Sequence, residues 1–69
     1  MLTKEIEEGL IASGEFTKVA VDLHADAKLC IQVWLLNDIY IEQCYPSEFS
    51  HKSSEKIVLG ILTDFADYL

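Results

Sequence analysis

The chain has 69 residues, of which five are basic, all of them lysines, and twelve are acidic, so its formal net charge is −7. This charge argues against direct nucleic-acid binding, which depends on clusters of Lys and Arg. It favours a protein partner with a basic surface, such as a nucleic-acid-binding protein. The alternative, which is the more common reason for such a charge, is that it only keeps a small hydrophobic domain in solution. A hydrophobic fraction of 51% excludes a disordered tail, while the longest apolar runs are too short to cross a bilayer.

The size of the chain predicts one small domain over residues 1–69, near the limit at which a single hydrophobic core is stable alone. We therefore expect a homodimer. A secretion signal begins with basic residues followed by an apolar segment, and this pattern is not visible here. We therefore expect a cytoplasmic protein that does not associate with membranes. Its two cysteines, Cys30 and Cys44, should then be reduced.

The first predicted element is a helix over about residues 3–13. Thr3 is its expected N-cap, and Gly14 is its expected C-terminal stop. Apolar residues recur at a spacing of four, which predicts one buried stripe. The residues of this stripe are Leu2, Ile6 and Leu10.

A hairpin of two strands over residues 28–36 and 39–45 gives the strongest pattern, because apolar and polar side chains alternate there. Two turn lengths make opposite predictions about cross-strand neighbours. A two-residue turn would pair Val33 with Glu42 and place a carboxylate on the apolar face. A three-residue loop with Asp38 left-handed keeps the apolar residues together, and we favour it. Its predicted pairs are Leu35 with Ile39, Val33 with Ile41, Leu29 with Tyr45, Trp34 with Tyr40, Gln32 with Glu42, and Cys30 with Cys44.

A first strand over residues 16–23 alternates in the same way and joins the hairpin through a loop at residues 25–27. The register that gives all three strands one core face pairs Val19 with Val33, Val21 with Ile31, and Leu23 with Leu29. On the reverse face the same register pairs Phe16 with Leu36, Lys18 with Trp34, and Asp22 with Cys30.

Residues 46–53 carry the only proline and a cluster of serines, which predicts a loop. A second helix over about residues 54–68 has a wide apolar face, with Ser53 or Ser54 as its N-cap. The resulting order is helix, three-stranded antiparallel meander, helix. This order predicts a two-layer α+β fold with both helices packed on one face of the sheet.

The sheet face away from the helices is the first candidate for function, because apolar surface rimmed by polar groups marks an interaction site. Trp and Tyr are the usual anchors of such sites. The alternative is an ordinary solvent-facing cluster in which Trp34 stacks with Lys18 and Tyr40. The predicted protein-binding residues are Phe16, Lys18, Trp34, Leu36, Tyr40 and Glu42.

A second candidate surface is acidic and would dock onto a basic protein patch or imitate the phosphates of DNA. The alternative is a pair of solvated helix faces, which charge runs usually are. The residues of this candidate surface are Glu5, Glu7, Glu8, Glu15, Asp64 and Asp67.

The sequence does not indicate a catalytic or metal site. Asp22, His24 and the two cysteines would lie at one end of the reverse face, but no close-spaced C-x-x-C ligand pair is present. A disulfide between Cys30 and Cys44 is geometrically conceivable, and reducing conditions argue against it. Since paired catalytic carboxylates and a phosphate-binding loop are not identifiable, we expect no enzyme activity, metal or cofactor.

Two functions are consistent with these patterns. The first is a non-enzymatic binding protein that occludes or caps a partner's surface with its aromatic sheet face. In size, acidity and element order the chain resembles the small inhibitors that phages direct against host proteins, such as anti-CRISPR proteins and paratox-type regulator inhibitors. The resemblance involves no motif and assigns no residue. The second function is an assembly subunit, or an antitoxin or immunity-type partner, that docks through its acidic helices.

Overall fold

The structure is a computed structural model that describes residues 2–69, and Met1 lies outside the described residues. Three antiparallel strands form one open sheet with helices before and after it, which confirms the predicted α+β order. The elements are α1 (Leu2–Ala12), β1 (Phe16–Leu23), β2 (Leu29–Leu35), β3 (Tyr40–Tyr45), α2 (Ser47–Ser50), α3 (Ser54–Asp64) and a short 3₁₀ helix (Ala66–Tyr68).

The ends of the helices follow from local backbone chemistry. Gly14, with a φ of 79°, takes the left-handed conformation just after α1 and so stops the helix, as predicted. The prediction of Thr3 as N-cap was wrong, because Leu2 already belongs to the first turn and packs against the core. At α3 the Ser53 side chain is the N-cap and accepts a hydrogen bond of 3.4 Å from the Lys56 amide.

The predicted strand pairing is confirmed around the central strand. β2 lies between β1 and β3, with both neighbours antiparallel. The Leu35 amide donates a hydrogen bond of 2.8 Å to the Ile39 carbonyl, which closes the three-residue loop between β2 and β3. This loop length places Trp34 opposite Tyr40 and keeps the alternation of faces in register through both strands.

The two hairpin loops share one geometry. The last loop residue is left-handed in each, with a φ of 67° at Ala27 and 68° at Asp38. The preceding Asp26 or Asn37 side chain accepts a hydrogen bond from the backbone amide two residues later. Such Asx turns hold the backbone in a turn conformation, which explains how both loops close without glycine.

The predicted pairing of Phe16 with Leu36 was wrong. A β-bulge between Phe16 and Lys18 shifts the register, so that Phe16 faces Leu35 instead. The shift turns the Phe16 ring from the reverse face to the core face, where only 5% of it is exposed. Burial of such a ring stabilises a fold by roughly 1.5–3 kcal/mol, and this gain favours the bulge.

The core lies between the sheet and the two longer helices. α1 packs against both β1 and α3. The helices approach closely at Gly9, where an added Cβ would lie only 2.8 Å from Val58 Cγ2. A side chain at this position would therefore force Val58 to shift. The residues with no exposed surface are Ile6, Leu10, Leu29, Ile31, Val33, Ile57 and Ile61.

The prediction of a loop over residues 46–53 was wrong in one part, because this segment contains the short helix α2. Phe49 in this helix stacks on Tyr45, with ring centroids 4.3 Å apart, and its ring also lies against Gly60 of α3. These contacts hold α2 at the junction of sheet and helices. A single helical turn is too short to show a helical period in the sequence, so the pattern could not reveal it.

Candidate functional site: the open sheet face

We call the side of the sheet opposite the helices the open sheet face. Along β2, buried residues alternate with half-buried ones, because only one side of the strand meets the helices. The open sheet face consists of Lys18, Ala20, Asp22, Cys30, Gln32, Trp34, Tyr40, Glu42 and Cys44. Of the residues predicted to bind protein, it brings together Lys18, Trp34, Tyr40 and Glu42.

Trp34 lies at the centre of a contact cluster on this face. Its ring centroid is 4.8 Å from that of Tyr40, with the two rings inclined at 49°. The Lys18 ammonium lies 4.8 Å from the centroid of the Trp34 ring, at cation–π distance. A cross-strand aromatic contact with tilted rings is therefore present, and Tyr40 remains 46% exposed. The cluster is ordered and still accessible to a partner.

A hydrogen-bonded carboxylate flanks the aromatic pair. The Gln32 side-chain amide donates a bond of 2.9 Å to Glu42 Oε2, and the Tyr40 hydroxyl donates one of 3.2 Å to the same oxygen. Partial desolvation, together with the hydrogen bond and charge of Glu42, raises the pKa of Tyr40. The two hydrogen bonds orient the Glu42 carboxylate, so this side of the cluster offers a fixed acceptor.

The expectation of two reduced thiols was wrong in this structure, since Cys30 and Cys44 form a disulfide across β2 and β3. The register explains the bond, because the two residues are direct partners with Cα atoms 4.0 Å apart. Leu35 and Ile39 form a hydrogen-bonded pair, and hydrogen-bonded and non-hydrogen-bonded pairs alternate along the ladder. Cys30 and Cys44 therefore form a non-hydrogen-bonded pair, the type in which the two side chains lie closer together. The disulfide thus cross-links the two strands that carry Trp34.

A separate apolar surface surrounds the loop between β2 and β3, and we call it the apolar end. Leu36, predicted on the sheet face, lies in this loop and is 64% exposed because β2 ends at Leu35. It lines a hollow together with Tyr68 and Leu69 from the C-terminal turn. Ile39, which follows this loop directly, is 43% exposed.

The sequence patterns missed the apolar end as a surface. Alternation places Ile39 on the core face, and the spacing of the last helix predicts that Tyr68 or Leu69 continues its apolar face. Helix α3 instead ends at Asp64, and a 3₁₀ turn follows. The local sequence gives no clear signal for this helix end or for the exposure of Ile39.

The predicted acidic residues lie in different surroundings. On α1, Glu5, Glu7 and Glu8 are exposed, as are Asp64 and Asp67 towards the C-terminus. Glu15 is half-buried and lines the hollow at the apolar end. Asp64 accepts a hydrogen bond of 2.9 Å from the Tyr45 hydroxyl and so takes part in the fold.

The outer surfaces of α1 and α3 form a groove of about 400 Å³ with an apolar floor. Val58, Leu59 and Leu62 line this floor, and Leu59 is 65% exposed. Glu5 and Glu55 lie at the rim. The acidic helix α1 therefore borders an apolar strip, on the side of the molecule opposite the open sheet face.

Other kinds of site find no support within residues 2–69. His, Cys, Asp and Glu side chains in this range form no group of three or more that could hold a metal ion. None of the helices formed by these residues combines the length and the hydropathy needed to cross a membrane. The chain matches no protein-family model, no curated protein and no solved structure.

Proposed function

We propose that the chain is a non-enzymatic protein that binds a partner protein through the open sheet face and occludes the surface it covers. One observation carries this proposal. Trp34 and Tyr40 are in ring contact on a sheet side away from the helices, and Tyr40 is 46% exposed. Aromatic side chains of this kind are the usual anchors of protein interfaces.

The surroundings of the aromatic pair support an interface with a polar rim. Lys18 lies on one side of Trp34, while Glu42 is held by Gln32 on the other side of the pair. Because contacts within the chain already orient these side chains, little conformational entropy is lost when a partner binds. The net charge of −7 favours a partner whose surface is basic, including a nucleic-acid-binding protein.

The decisive experiment compares two exposed apolar residues on opposite sides of the molecule. Capture from extracts of the native host should lose its partner with Tyr40→Ala and retain it with Leu59→Ala. Both variants should still fold, since Tyr40 is 46% and Leu59 65% exposed and neither side chain belongs to the buried core. Equal capture by the two folded variants would exclude the open sheet face as the binding surface.

Trp34 offers a direct second readout because it is the only tryptophan of the chain. Addition of the captured partner should shift its fluorescence emission to shorter wavelengths, as water is excluded from the indole. A partner that binds without changing this emission binds elsewhere.

A second candidate function is an assembly subunit, or an antitoxin or immunity-type partner, that docks through its helices. The groove between α1 and α3 favours it, because Glu5 and Glu55 border an apolar floor that includes Leu59. Such a groove suits a basic amphipathic helix. Binding there should weaken steeply as salt is raised and should be lost with Leu59→Ala. Binding through the aromatic contacts of the open sheet face should depend less steeply on salt and should withstand Leu59→Ala.

The cytoplasmic location remains a prediction, and the Cys30–Cys44 disulfide bears on it directly. Cytoplasmic thiols are kept reduced, so a persistent structural disulfide favours an oxidising compartment. Alkylation of thiols in freshly lysed host cells, followed by mass measurement of the chain, decides between the cytoplasm and an oxidising compartment. Two alkylated cysteines would support the cytoplasm, and none would exclude it.

A further inference from the structure

We propose that β3 is a dimerisation edge, which pairs with β3 of a second copy in an antiparallel register centred on Ile41. This inference goes beyond the proposed function because it uses the edge of the sheet and leaves the open sheet face available to another protein. It also gives the homodimer expected from the size of the chain a specific interface.

The hydrogen-bonding groups of β3 follow from the loop that precedes it. Leu35 and Ile39 form a hydrogen-bonded pair, and hydrogen-bonded and non-hydrogen-bonded pairs alternate along an antiparallel ladder. The backbone groups of Ile41 therefore point towards β2. Those of Tyr40 and Glu42 point away from the sheet, on the side where no strand formed by residues 2–69 pairs with β3. A second strand could bind there without breaking any existing ladder bond.

The two edges of the sheet are protected unequally. Natural edge strands avoid pairing through bulges, lysines and prolines. β1 has both a bulge between Phe16 and Lys18 and the positive charge of Lys18 itself. β3 pairs with β2 in an unbroken register, and its sequence YIEQCY contains neither lysine nor proline. Pairing is therefore favoured at β3.

The core-facing side of β3 is only partly covered by the helices. Tyr45 at its end is buried, but Ile41 is half-buried and Gln43 is exposed. Ile39, just before the strand, is 43% exposed. A strand added at this edge would cover these side chains, which adds an apolar contribution to the backbone hydrogen bonds.

The sequence of β3 selects one register for pairing with itself. A pairing centred on Glu42 would place two carboxylates directly opposite each other, which is destabilising. A pairing centred on Gln43 would bring Tyr40 opposite Pro46, which has no amide to donate. A pairing centred on Ile41 places Ile41 opposite its own copy and Tyr40 opposite Glu42, and it leaves no like charges opposed. This self-complementarity is the reason to choose a second copy as the occupant.

The net charge predicts how this dimer should respond to salt. Each chain carries a formal charge of −7, so association brings like charges together. Added salt screens this repulsion and should strengthen the dimer. The response is opposite to that expected for a basic partner in the groove between α1 and α3, so the two modes of binding can be told apart.

Sedimentation equilibrium on the purified chain, with Glu42→Pro and Glu42→Thr, tests the inference. Both substitutions remove the carboxylate, but only proline removes the outward-pointing amide, and proline is tolerated where an edge amide faces solvent. The parent chain and Glu42→Thr should reach twice the 7.8 kDa monomer mass. Glu42→Pro removes two symmetry-related hydrogen bonds and should weaken the dimer by roughly tenfold or more.

Circular dichroism must show that Glu42→Pro is folded. If this variant is unfolded, Ile41→Lys gives the same test, because it places two ammonium groups opposite each other at the centre of the interface. A parent chain that stays monomeric at millimolar concentration would overturn the inference. A dimer that withstands both Glu42→Pro and Ile41→Lys but is lost with Trp34→Ala would also overturn it. That last result would assign dimerisation to the open sheet face. The proposed function is tested separately, by the capture experiment with Tyr40→Ala and Leu59→Ala.

Discussion

Tyr45, the last residue of β3, donates a hydrogen bond of 2.9 Å to Asp64, the last residue of α3. The tyrosine is only 8% exposed and also stacks on Phe49 of α2. One side chain therefore joins the sheet to both helices that follow it. Since β3 lies at the edge of the sheet, this contact is an important link between the edge strand and the helical layer.

The buried phenol predicts a loss of stability at alkaline pH. Burial, followed by the hydrogen bond and charge of Asp64, raises the pKa of Tyr45 far above its usual value of about 10. Above that pH the unfolded chain loses the proton while the folded chain keeps it, so the free energy of unfolding should fall as pH rises. Below about pH 10 Tyr45 should contribute no pH dependence. Urea unfolding measured across this range provides the check.

Tyr45→Phe should remove this alkaline contribution and cost about 1 kcal/mol near neutral pH, through loss of the hydrogen bond. Asp67→Asn is the matched control, because it removes an exposed carboxylate of the C-terminal turn and leaves the Tyr45–Asp64 bond intact. An unchanged alkaline loss in Tyr45→Phe would show that other groups cause it.

Removal of the disulfide should destabilise the oxidised chain. Cys30 and Cys44 are separated by 14 residues, and a cross-link closing a loop of this size contributes about 3 kcal/mol. The double variant Cys30→Ser/Cys44→Ser should therefore unfold at lower urea concentration than the oxidised parent. Reductant should lower the midpoint of the parent and leave that of the double variant unchanged. Equal midpoints for the oxidised and reduced parent would mean that the bond adds nothing to stability.

The close approach of α1 and α3 predicts an unusual response to a helix-favouring substitution. Gly9→Ala raises helix propensity by about 1 kcal/mol, but the new methyl group would lie 2.8 Å from Val58 Cγ2. Overpacking of this kind costs about 1–3 kcal/mol, so the net effect should be destabilising. The double variant Gly9→Ala/Val58→Ala should be more stable than expected from the two single variants. Additive effects in thermal unfolding would contradict the contact.

The left-handed loop residues predict a stabilising substitution. Ala27 has a φ of 67°, a conformation that costs an L-residue about 1 kcal/mol or more and glycine almost nothing. Ala27→Gly should therefore increase the free energy of unfolding, by up to about 1 kcal/mol. Ala25→Gly, in the same loop but with an ordinary φ, should be neutral or destabilising. Chemical unfolding in which both variants lose stability equally would contradict the assigned loop geometry.

Much of the candidate site could be predicted from the sequence because strand alternation and loop length together determine cross-strand neighbours. A three-residue loop after Leu35 leaves one register in which apolar residues share a face, and that register places Trp34 beside Tyr40 and Gln32 beside Glu42. The same register already placed Cys30 opposite Cys44. Only the expectation of a reducing compartment argues against a bond between them, and that expectation concerns the environment and not the geometry of the chain.

Residues near the ends of elements were predicted less well. Phe16 was placed on the reverse face because alternation was extended to the first residue of β1, and a bulge cannot be read from alternation. Alternation also extends β2 to Leu36, although the predicted three-residue loop already includes this residue, and the structure places Leu36 in that loop. Both errors concern the place where a regular pattern stops, which depends on contacts with residues distant in the sequence.

The sequence by itself determined the order of helices and strands, the pairing of β2 with β3 and the presence of aromatic residues on one side of the sheet. These features depend on periodicities of two and of about 3.6 residues, which act over a few neighbours. Only the tertiary structure decided that Phe16 is buried, that Leu36 joins Tyr68 and Leu69 at the apolar end, and that β3 is a partly uncovered edge. These outcomes depend on how far each helix reaches across the sheet, and side-chain packing between elements distant in the sequence sets that reach.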